Sequence, residues 1–460
     1  MRFSVDRQHV VVVGAGRSGR AAAALLVSRG ATVTLADSAQ AIDGAASLES
    51  LGVRLALGPH DAALFSGADL IVVSPGVPAG QPALQSARAA GVPVIGEIEL
   101  ASRWIAGRLV AITGTKGKST TTTLTARMIE AAGLPVTAGG NLGTALSAQV
   151  DRSTPETIHV VEVSSFQLEA TDTFHPWIAV LLNLTVDHLD RHASLEAYAQ
   201  AKARIFANQT ADDWSVVNAG DPAALAIAAG GRARRFDFAL DSRFDAAVSI
   251  EDGQIVRRDA GQPRPLLPLS AVRLPGRHQL GDVIAAAAVG CLAGVPPAAM
   301  QQAVAGFEGL EHALERVAEI DGVAFINDSK ATNVDAARRS IESFDGDVVA
   351  IMGGRFKGGR FEDLREAAAE RLAGVMAIGE AQALIQSALG DVVPVEPAAS
   401  MAGAVARAFE LARPGGVVLL APACASFDQF RDYGERGRAF KSEVGRLAAR
   451  RAAAARRAGV

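Results

Sequence analysis

Residues from Val110 to Thr120 combine the groups that a bound phosphate requires. An apolar run breaks into the sequence Gly114-Thr115-Lys116-Gly117-Lys118-Ser119-Thr120. The two glycines let successive backbone N–H groups turn toward one anion, and Lys118 adds a positive charge. Ser119 offers a hydroxyl to the Mg²⁺ that accompanies a nucleotide. The residues from Gly114 to Thr120 therefore predict a site for ATP with Mg²⁺.

The surroundings of this loop favour the same interpretation. A β-branched run precedes it, and residues 121–132 contain no Gly or Pro, which predicts a strand, a loop and then a helix. Gly114 and Gly117 enclose two residues where the general pattern has four, so the loop is a shortened variant. The alternative is an ordinary glycine turn before a threonine-rich helix.

A second glycine turn follows the strand predicted at Val10–Val13. Its sequence, Gly14-Ala15-Gly16-Arg17-Ser18-Gly19, has the spacing of dinucleotide-binding turns, and Asp37 ends the next predicted strand. Ser74 follows a further apolar strand, so Ser18, Asp37 and Ser74 can line one crevice at the carboxyl ends of a parallel sheet. Taken alone, the turn indicates an NAD-dependent oxidoreductase. Each of the three polar residues can equally be a turn or capping residue.

Four polar residues after the phosphate loop are ambiguous when each is taken alone. Asn141 stands in a glycine-rich turn, from which it could reach a phosphate or sugar of the substrate, and Glu162 ends a buried strand, where a metal ion would offset the cost of a carboxylate. His188 lies in a polar loop, and Lys202 lies on a helix predicted from Ser194 to Ala207. The alternatives are an ordinary turn residue for Asn141, a surface histidine for His188 and a solvated helix lysine for Lys202.

Taken together, these residues resemble the ATPase domain of the Mur ligases in order and spacing. The matching stretches are Gly114 to Thr120, Asn141, Glu162 with Ser164-Ser165-Phe166-Gln167-Leu168, Asp187-His188-Leu189-Asp190-Arg191, and Lys202 in Tyr198-Ala199-Gln200-Ala201-Lys202. The resemblance extends over essentially the whole chain and is closest to the members that add D-glutamate.

The resemblance implies a metal site and a substrate. It implies that Lys202 carries a carbamate, which could hold a second Mg²⁺ alongside His188, whereas a bare ammonium could not coordinate a metal. The predicted metal residues are thus Ser119, Glu162, His188 and Lys202. It also implies that the first glycine turn holds the UDP of UDP-N-acetylmuramoyl-L-alanine instead of NAD. A helix N-terminus accepts either pyrophosphate.

The resemblance also assigns residues near the carboxyl end of the chain. The stretch Asn327 to Asn333 follows a hairpin predicted from strands 316–320 and 323–326 around Asp321-Gly322. In the family, Asp328 would face the ribose and Lys330 the transferred phosphate. The residues expected around the incoming D-glutamate are Thr332, Lys357, Ser426 and Tyr433. Lys357 would meet a carboxylate, Thr332 and Ser426 would donate hydrogen bonds, and Tyr433 would pack on the carbon spacer.

Two places depart from the family pattern. The usual His-Asn-x-x-Asn near the adenine reads His278-Gln279-Leu280-Gly281-Asp282, and a His-Arg pair reads His312-Ala313. His278 matches the family pattern, and we predict that it contacts the nucleotide. Because the phosphate and metal residues keep their types, we expect altered nucleotide affinity with catalysis retained.

Length and composition indicate a soluble protein of several domains. A chain of 460 residues exceeds one core, and we predict an α/β protein with three domains. These are a Rossmann-like domain at 1–103, a central ATP-binding domain with a mainly parallel sheet at 104–310, and a Rossmann-like domain at 311–460. A net charge of −4 and 5% aromatic residues argue against nucleic-acid binding. No apolar stretch is long enough for a bilayer, and Cys291 and Cys424 are expected to be buried and inert.

We therefore expect a cytoplasmic, monomeric ligase that activates a carboxylate with ATP and joins it to D-glutamate. Its expected catalytic residues are Lys118, Glu162, His188, Lys202 and Lys330. Two alternatives stay open. An oxidoreductase built on the first glycine turn leaves the three lysines unexplained, and a non-catalytic nucleotide switch predicts no phosphate release when both acceptor substrates are supplied.

Overall fold

The computed structural model describes residues 3–59, 63–78, 80–187, 191–259, 262–274, 276–412 and 415–457. It divides into two compact units. The first contains Met1–Val272 with Leu280–Gly306, and the second contains Arg273–Gln279 with Phe307–Val460. The predicted α/β class with mainly parallel sheets is confirmed, whereas the limits of the three domains stay a prediction. Of the helices in the described ranges, none is both long and apolar enough to cross a membrane.

The first sheet has five parallel strands in the order β3-β2-β1-β4-β5. Its strands are β1 (His9–Val13), β2 (Thr32–Asp37), β3 (Arg54–Leu57), β4 (Leu70–Val73) and β5 (Val94–Gly96). Its helices are α1 (Arg17–Ser28), α2 (Ala45–Ser50), α3 (Ala63–Ser66), α4 (Pro82–Ala89) and α5 (Glu97–Ser102). Continuous apolar runs such as Val10–Val13 are buried because helices cover both faces of a parallel sheet.

The turn between β1 and α1 requires glycine at its last position. A Cβ atom on Gly19 would lie 1.8 Å from the carbonyl oxygen of Gly14. Gly14 itself has a φ of +96°, which side chains larger than hydrogen rarely adopt. The helix can therefore start directly against the end of the strand.

The second sheet has six parallel strands in the order β11-β10-β9-β6-β8-β7. Its strands are β6 (Arg108–Thr113), β7 (Val136–Gly140), β8 (Ile158–Glu162), β9 (Ile178–Leu181), β10 (Trp214–Val217) and β11 (Arg234–Arg235). Its helices are α6 (Lys118–Ala131), α7 (Ser165–Glu169), α8 (Leu195–Ala203) and α9 (Pro222–Ala228). The helix predicted to end at Ala207 ends at Ala203 and continues as a 3₁₀ turn over Arg204–Phe206. Strand β6 lies between β8 and β9, so the phosphate loop leaves the middle of the sheet.

A three-stranded antiparallel sheet follows that the sequence did not lead us to predict. Its strands are β12 (Val248–Glu251), β13 (Gln254–Asp259) and β14 (Gln262–Pro268), and the helices α10 (Arg277–Leu292) and α11 (Pro297–Ala305) come next. Strand β14 contains Pro263, Pro265 and Pro268, which hide the strand pattern. Proline is tolerated there because, among the described residues, β14 pairs with β13 alone and forms the edge of this sheet.

The third sheet belongs to the second unit and has the order β15-β16-β20-β17-β18-β19. Its strands are β15 (Glu315–Ile320), β16 (Val323–Asn327), β17 (Val348–Gly353), β18 (Leu372–Ile378), β19 (Val395–Pro397) and β20 (Val417–Leu420). Its helices are α12 (Val334–Ile341), α13 (Arg365–Arg371), α14 (Gln382–Leu389), α15 (Met401–Leu411) and α16 (Tyr433–Arg457). The predicted hairpin of β15 and β16 is confirmed, and Asp321 and Gly322 both have the positive φ that a two-residue turn requires.

The two cysteines differ in burial. Cys424 is buried as predicted, but Cys291 is only partly buried. Burial raises the pKa of Cys291 to about 11 and that of Cys424 to about 12. Both thiols therefore stay protonated and unreactive at neutral pH.

Two glutamates on the short helix α5 connect the first and second sheets within the first unit. Glu99 is fully buried, and its carboxylate accepts the backbone N–H groups of Asp172, Thr173 and Phe174 at 2.8, 3.0 and 2.9 Å. Burial alone would raise the pKa of Glu99, but hydrogen bonds from Asp172, Thr173 and Arg103 hold it below its ordinary value. Glu99 therefore fastens α5 to the loop before β9.

Glu97 is buried in the same helix with less compensation. Its Oε1 accepts the backbone N–H of Ser147 at 2.6 Å, while its Oε2 has no hydrogen-bond partner in the described part of the chain. Burial raises the pKa of Glu97 above its ordinary value of 4.5. The two glutamates thus contribute to stability with opposite dependence on pH.

We predict that Glu97→Gln stabilises the protein at pH 8 by about 1 kcal/mol, because the variant keeps the acceptor for Ser147 and removes a poorly compensated charge. A raised pKa makes the contribution of Glu97 most favourable below pH 4.5 and less so as the pH rises, so the difference should shrink as the pH falls. Thermal unfolding of both proteins from pH 8 downward measures this difference. Glu99→Gln is the matched control and should destabilise most at pH 8. A Glu97→Gln protein no more stable than its parent at pH 8 would contradict the prediction.

Candidate active site

The phosphate loop joins β6 to α6 and is held from both sides. Gly114 and Gly117 have φ values of +155° and +85°, and Gly117 is the N-cap of α6. The Lys118 ammonium donates to the carbonyl oxygens of Gly114 and Thr115, both at 2.9 Å. Ser119 and Thr120 follow in the first turn of the helix and are buried. The loop therefore presents a helix N-terminus beside a lysine, as an anion site requires.

Asn183 fixes the conformation of this loop, and we did not single it out from the sequence. Its Oδ1 accepts the backbone N–H groups of Thr115 and Lys116 at 3.1 and 2.9 Å, and its Nδ2 donates to the carbonyl of Lys116 at 3.1 Å. Asn183 follows β9, which neighbours β6 in the sheet. A polar residue just after a buried strand was the available signal.

Glu162 brings together three of the residues predicted from the sequence. Ser119 Oγ donates to Glu162 Oε2 and Asn141 Nδ2 donates to Glu162 Oε1, each at 2.6 Å. Glu162 is the last residue of β8 and is 3% exposed. A hydroxyl, a carboxylate and an amide meet here, and their oxygens are of the kind that Mg²⁺ prefers.

Lys202 is almost completely buried beside the phosphate loop. It is 1% exposed, and its Nζ donates to the carbonyl oxygen of Gly114 at 2.8 Å and lies 4.6 Å from the centre of the Tyr198 ring. Burial lowers the pKa of Lys202 well below its ordinary value, and the nearby charge of Lys118 lowers it further. The surroundings thus favour a neutral amine at this position.

The remaining predicted residue of this group, His188, lies outside the described residues, as does the side chain of His278. The neighbours of His188 are placed. Lys116 forms an ion pair with Asp187 at 3.2 Å. Arg191 donates to the carbonyl oxygens of Pro75 and Val77 at 3.1 and 2.8 Å, which ties this loop to the end of β4.

Asp282 lies against the phosphate loop, although from the sequence we assigned it to the adenine region. A Cβ atom on Gly117 would lie 2.0 Å from Asp282 Oδ1. Asp282 belongs to α10 and is 6% exposed. A carboxylate therefore lies next to the loop that is predicted to receive a polyanion, and it would have to shift if residue 117 carried a side chain.

Ser18, Asp37 and Ser74 line one cavity of about 470 Å³ at the carboxyl ends of the first sheet. Asp37 Oδ2 accepts the N–H of Ala15 at 2.6 Å, and Ser74 Oγ donates to the carbonyl of Gly14 at 3.0 Å. Asp37 and Ser74 therefore support the glycine turn. Their contact with a substrate stays a prediction.

The second unit carries the other predicted residues on loops after β16, β17 and β20, which are neighbours in its sheet. Asp328 accepts a hydrogen bond from Ser340 Oγ, and the backbone N–H of Lys330 donates to the carbonyl of His312 at 3.0 Å. Thr332 is partly buried and Lys357 is exposed.

The last two predicted residues of this unit differ in burial. Ser426 is 2% exposed, while Tyr433 begins α16 and is 42% exposed. The loops after β17 and β20 are joined by two backbone hydrogen bonds between Arg355 and Ala425, at 2.9 and 3.0 Å. Ser426 is thus held next to the glycine-rich loop that leads to Lys357.

Known proteins match the chain over almost its whole length. A ligase from Acidobacterium capsulatum named UDP-N-acetylmuramoylalanine--D-glutamate ligase is 48% identical over 97% of this chain and 97% of its own. One of the same name from Geotalea daltonii is 43% identical over 97% of this chain and 99% of its own. The chain belongs to the Mur ligase family. Family profiles described as Mur ligase MurD-like N-terminal domain, Mur ligase middle domain and Mur ligase glutamate ligase domain match residues 8–96, 112–290 and 314–424.

Solved Mur ligases share the fold at low sequence identity. The UDP-N-acetylmuramate-alanine ligase MurC of Thermotoga maritima has a TM-score of 0.60 at 19% identity and covers 96% of this chain and 100% of its own. The MurF ligase of Thermotoga maritima, solved in complex with ADP, has a TM-score of 0.58 at 17% identity, with 96% of each chain covered. These structures support the three-part α/β architecture of the Mur ligases for this chain.

The contact between Gly117 and Asp282 gives a prediction for nucleotide binding in this Mur ligase. Gly117→Ala places a methyl group on the Asp282 carboxylate and a side chain at a positive φ, which alone costs roughly 1–2 kcal/mol. ATP affinity should fall about tenfold or more. Titration calorimetry with a non-hydrolysable ATP analogue measures it.

Gly133→Ala is the matched control for this variant. Gly133 has a φ of +74° just after α6, and a Cβ atom there meets nothing within 4 Å. The Gly133→Ala protein should be less stable than its parent but bind the nucleotide with unchanged affinity. A Gly117→Ala protein that binds the analogue as tightly as its parent would refute the assignment of this loop.

Proposed function

We propose that this protein is an ATP-dependent ligase that adds D-glutamate to UDP-N-acetylmuramoyl-L-alanine in cytoplasmic peptidoglycan precursor synthesis. The observation that carries the proposal is the cluster at the carboxyl ends of β6 and β8. There Lys118 lies over a phosphate loop, and Ser119 and Asn141 meet on Glu162. Relatives with this activity in their names, at up to 48% identity, support the substrates.

The reaction has two balanced steps. An oxygen of the L-alanine carboxylate bonds to the terminal phosphorus of ATP, and ADP leaves, which gives an acyl phosphate. The amine of D-glutamate then bonds to the acyl carbon, phosphate leaves, and the nitrogen gives up a proton as the amide forms. Both substrates of the first step are anionic, so positive groups must hold them together and stabilise the transferred charge. We assign this work to Lys118 and Lys330.

The residues around Glu162 fit a magnesium ion. Ser119 Oγ and Glu162 Oε2 are 2.6 Å apart, and the carboxylate is buried among uncharged donors. We assign Ser119 and Glu162 as residues that would hold Mg²⁺, with His188 and a carbamate on Lys202 as further candidates. When bound, Mg²⁺ would neutralise charge on the nucleotide phosphates.

The burial of Lys202 supports the carbamate. The neutral amine of lysine is the form that reacts with carbon dioxide: its lone pair bonds to the carbon, and the nitrogen loses a proton, which leaves an anionic carbamate. The lowered pKa of Lys202 raises the share of that neutral form. The product would present oxygen atoms beside Gly114, where the ammonium now lies.

The proposal is tested by measuring phosphate release from ATP with UDP-N-acetylmuramoyl-L-alanine and either enantiomer of glutamate. We expect release to require D-glutamate, because fixing both carboxylates of the L form turns its amine away from the acyl carbon.

Lys357→Ala should mainly raise the KM for D-glutamate and leave ATP binding unchanged, while Lys118→Ala should remove nearly all turnover. Equal turnover with L-glutamate, or no release with both acceptors, would refute the proposal, the latter in favour of a nucleotide switch.

Lys202 variants test the carbamate separately. Lys202→Ala should be nearly inactive and regain activity with added formate or acetate, because a small carboxylate can replace the missing anion. Lys202→Arg keeps a positive charge and should stay inactive. An arginine variant as active as its parent would show that a cation alone is needed at this position.

A further inference from the structure

Arg436 is a buried charge that none of the assignments above uses. It lies in the first turns of α16, is 1% exposed, and is among the largest fully buried side chains. All four of its described hydrogen bonds end on uncharged oxygens. They go from Nε to Ser329 Oγ at 3.0 Å, from Nη2 to the Ser329 carbonyl at 2.9 Å, and from Nη1 to the carbonyls of Cys424 at 3.1 Å and Gly353 at 3.4 Å.

This burial is costly for stability. Burial lowers the pKa of Arg436 to about 10, so the guanidinium still carries its charge at neutral pH. A buried guanidinium that donates only to carbonyls and a hydroxyl regains part of the free energy lost with its hydration. An apolar side chain of similar length would avoid this desolvation cost. The planar fork of arginine, however, can hold several acceptors in fixed directions at once, which lysine cannot do.

The acceptors of Arg436 lie where three different loops begin or pass: Ser329 in the loop after β16, Gly353 at the end of β17, and Cys424 in the loop after β20. Ser329 lies three residues before Thr332, Gly353 lies four residues before Lys357, and Cys424 lies two residues before Ser426. Each loop therefore carries one of the residues predicted to surround the glutamate.

The fourth predicted residue, Tyr433, is connected to the same group. Ser329 Oγ receives a hydrogen bond from Arg436 and donates one to the carbonyl of Tyr433 at 2.7 Å. Arg436 and Ser329 thus join the start of α16 to the loop after β16. All of these contacts lie within the second unit.

We propose that Arg436 is the positioning residue of the amino-acid site, and that it fixes the spacing of Thr332, Lys357, Ser426 and Tyr433 that selects a dicarboxylic D-amino acid. This inference rests on the proposed function. Arg436 acts through the three loops and does not touch the substrate. Its loss should therefore weaken glutamate binding and enantiomer selection while UDP-N-acetylmuramoyl-L-alanine binds as before.

The test compares Arg436→Lys, which keeps the charge but not the fork, with Arg438→Met as the matched control. Arg438 lies two residues further along α16 with its side chain 58% exposed. Arg436→Lys should raise the KM for D-glutamate at least tenfold and lower the preference for the D over the L enantiomer. The KM for UDP-N-acetylmuramoyl-L-alanine should stay within twofold of the parent. Arg438→Met should match the parent in all of these constants.

Ser329→Ala keeps the test decisive if Arg436→Lys does not fold, as judged by circular dichroism and thermal unfolding. It removes the shared hydroxyl alone and should raise the KM for D-glutamate about threefold, again without change in the KM for UDP-N-acetylmuramoyl-L-alanine. A folded variant that lowers only kcat, or raises both KM values alike, would overturn the role of Arg436. A parent protein without D-glutamate-dependent phosphate release would instead overturn the proposed function itself.

Discussion

Two lysine side chains donate to one backbone oxygen, the carbonyl of Gly114. Lys118 reaches it from the first turn of α6 and Lys202 from α8, at 2.9 and 2.8 Å. Two ammonium groups at one acceptor repel each other, and burial adds to the penalty for Lys202. The conflict is relieved if an anion binds at the loop, if Lys202 becomes neutral, or both. The phosphate site and the unusual lysine are therefore two results of one arrangement at the end of β6.

Three carboxylates lie near this concentration of positive charge. The Glu162 carboxylate accepts hydrogen bonds from a hydroxyl and an amide, and Asp187 forms an ion pair with Lys116. Asp282 lies against Gly117, on the side where the family usually has an amide. Where the family pattern has asparagine, this chain therefore places a carboxylate beside the phosphate loop.

Much of the fold follows from short-range patterns in the sequence. Unbroken apolar runs such as Val10–Val13 predict covered parallel strands, and Asp321-Gly322 predicts the hairpin turn, because each signal is local. We did not predict strands β12 to β14, because the prolines of β14 interrupt the alternation of apolar and polar residues that indicates a strand. Asn183 and Arg436 escaped for another reason: a single asparagine or arginine looks the same whether it is solvated or holds several loops, and its partners lie 67 and 107 residues away along the chain. The structure brings Ser119 and Glu162 together, as the phosphate-loop pattern and the family resemblance jointly predicted, while their role as metal ligands stays a prediction.

The prolines of β14 also affect how this protein behaves at high concentration. An exposed edge strand offers a row of free N–H and C=O groups on which a second chain can add a strand, and this is a common start of aggregation. Pro263, Pro265 and Pro268 have no N–H to offer to such a strand. The small antiparallel sheet therefore ends in an edge that resists intermolecular pairing.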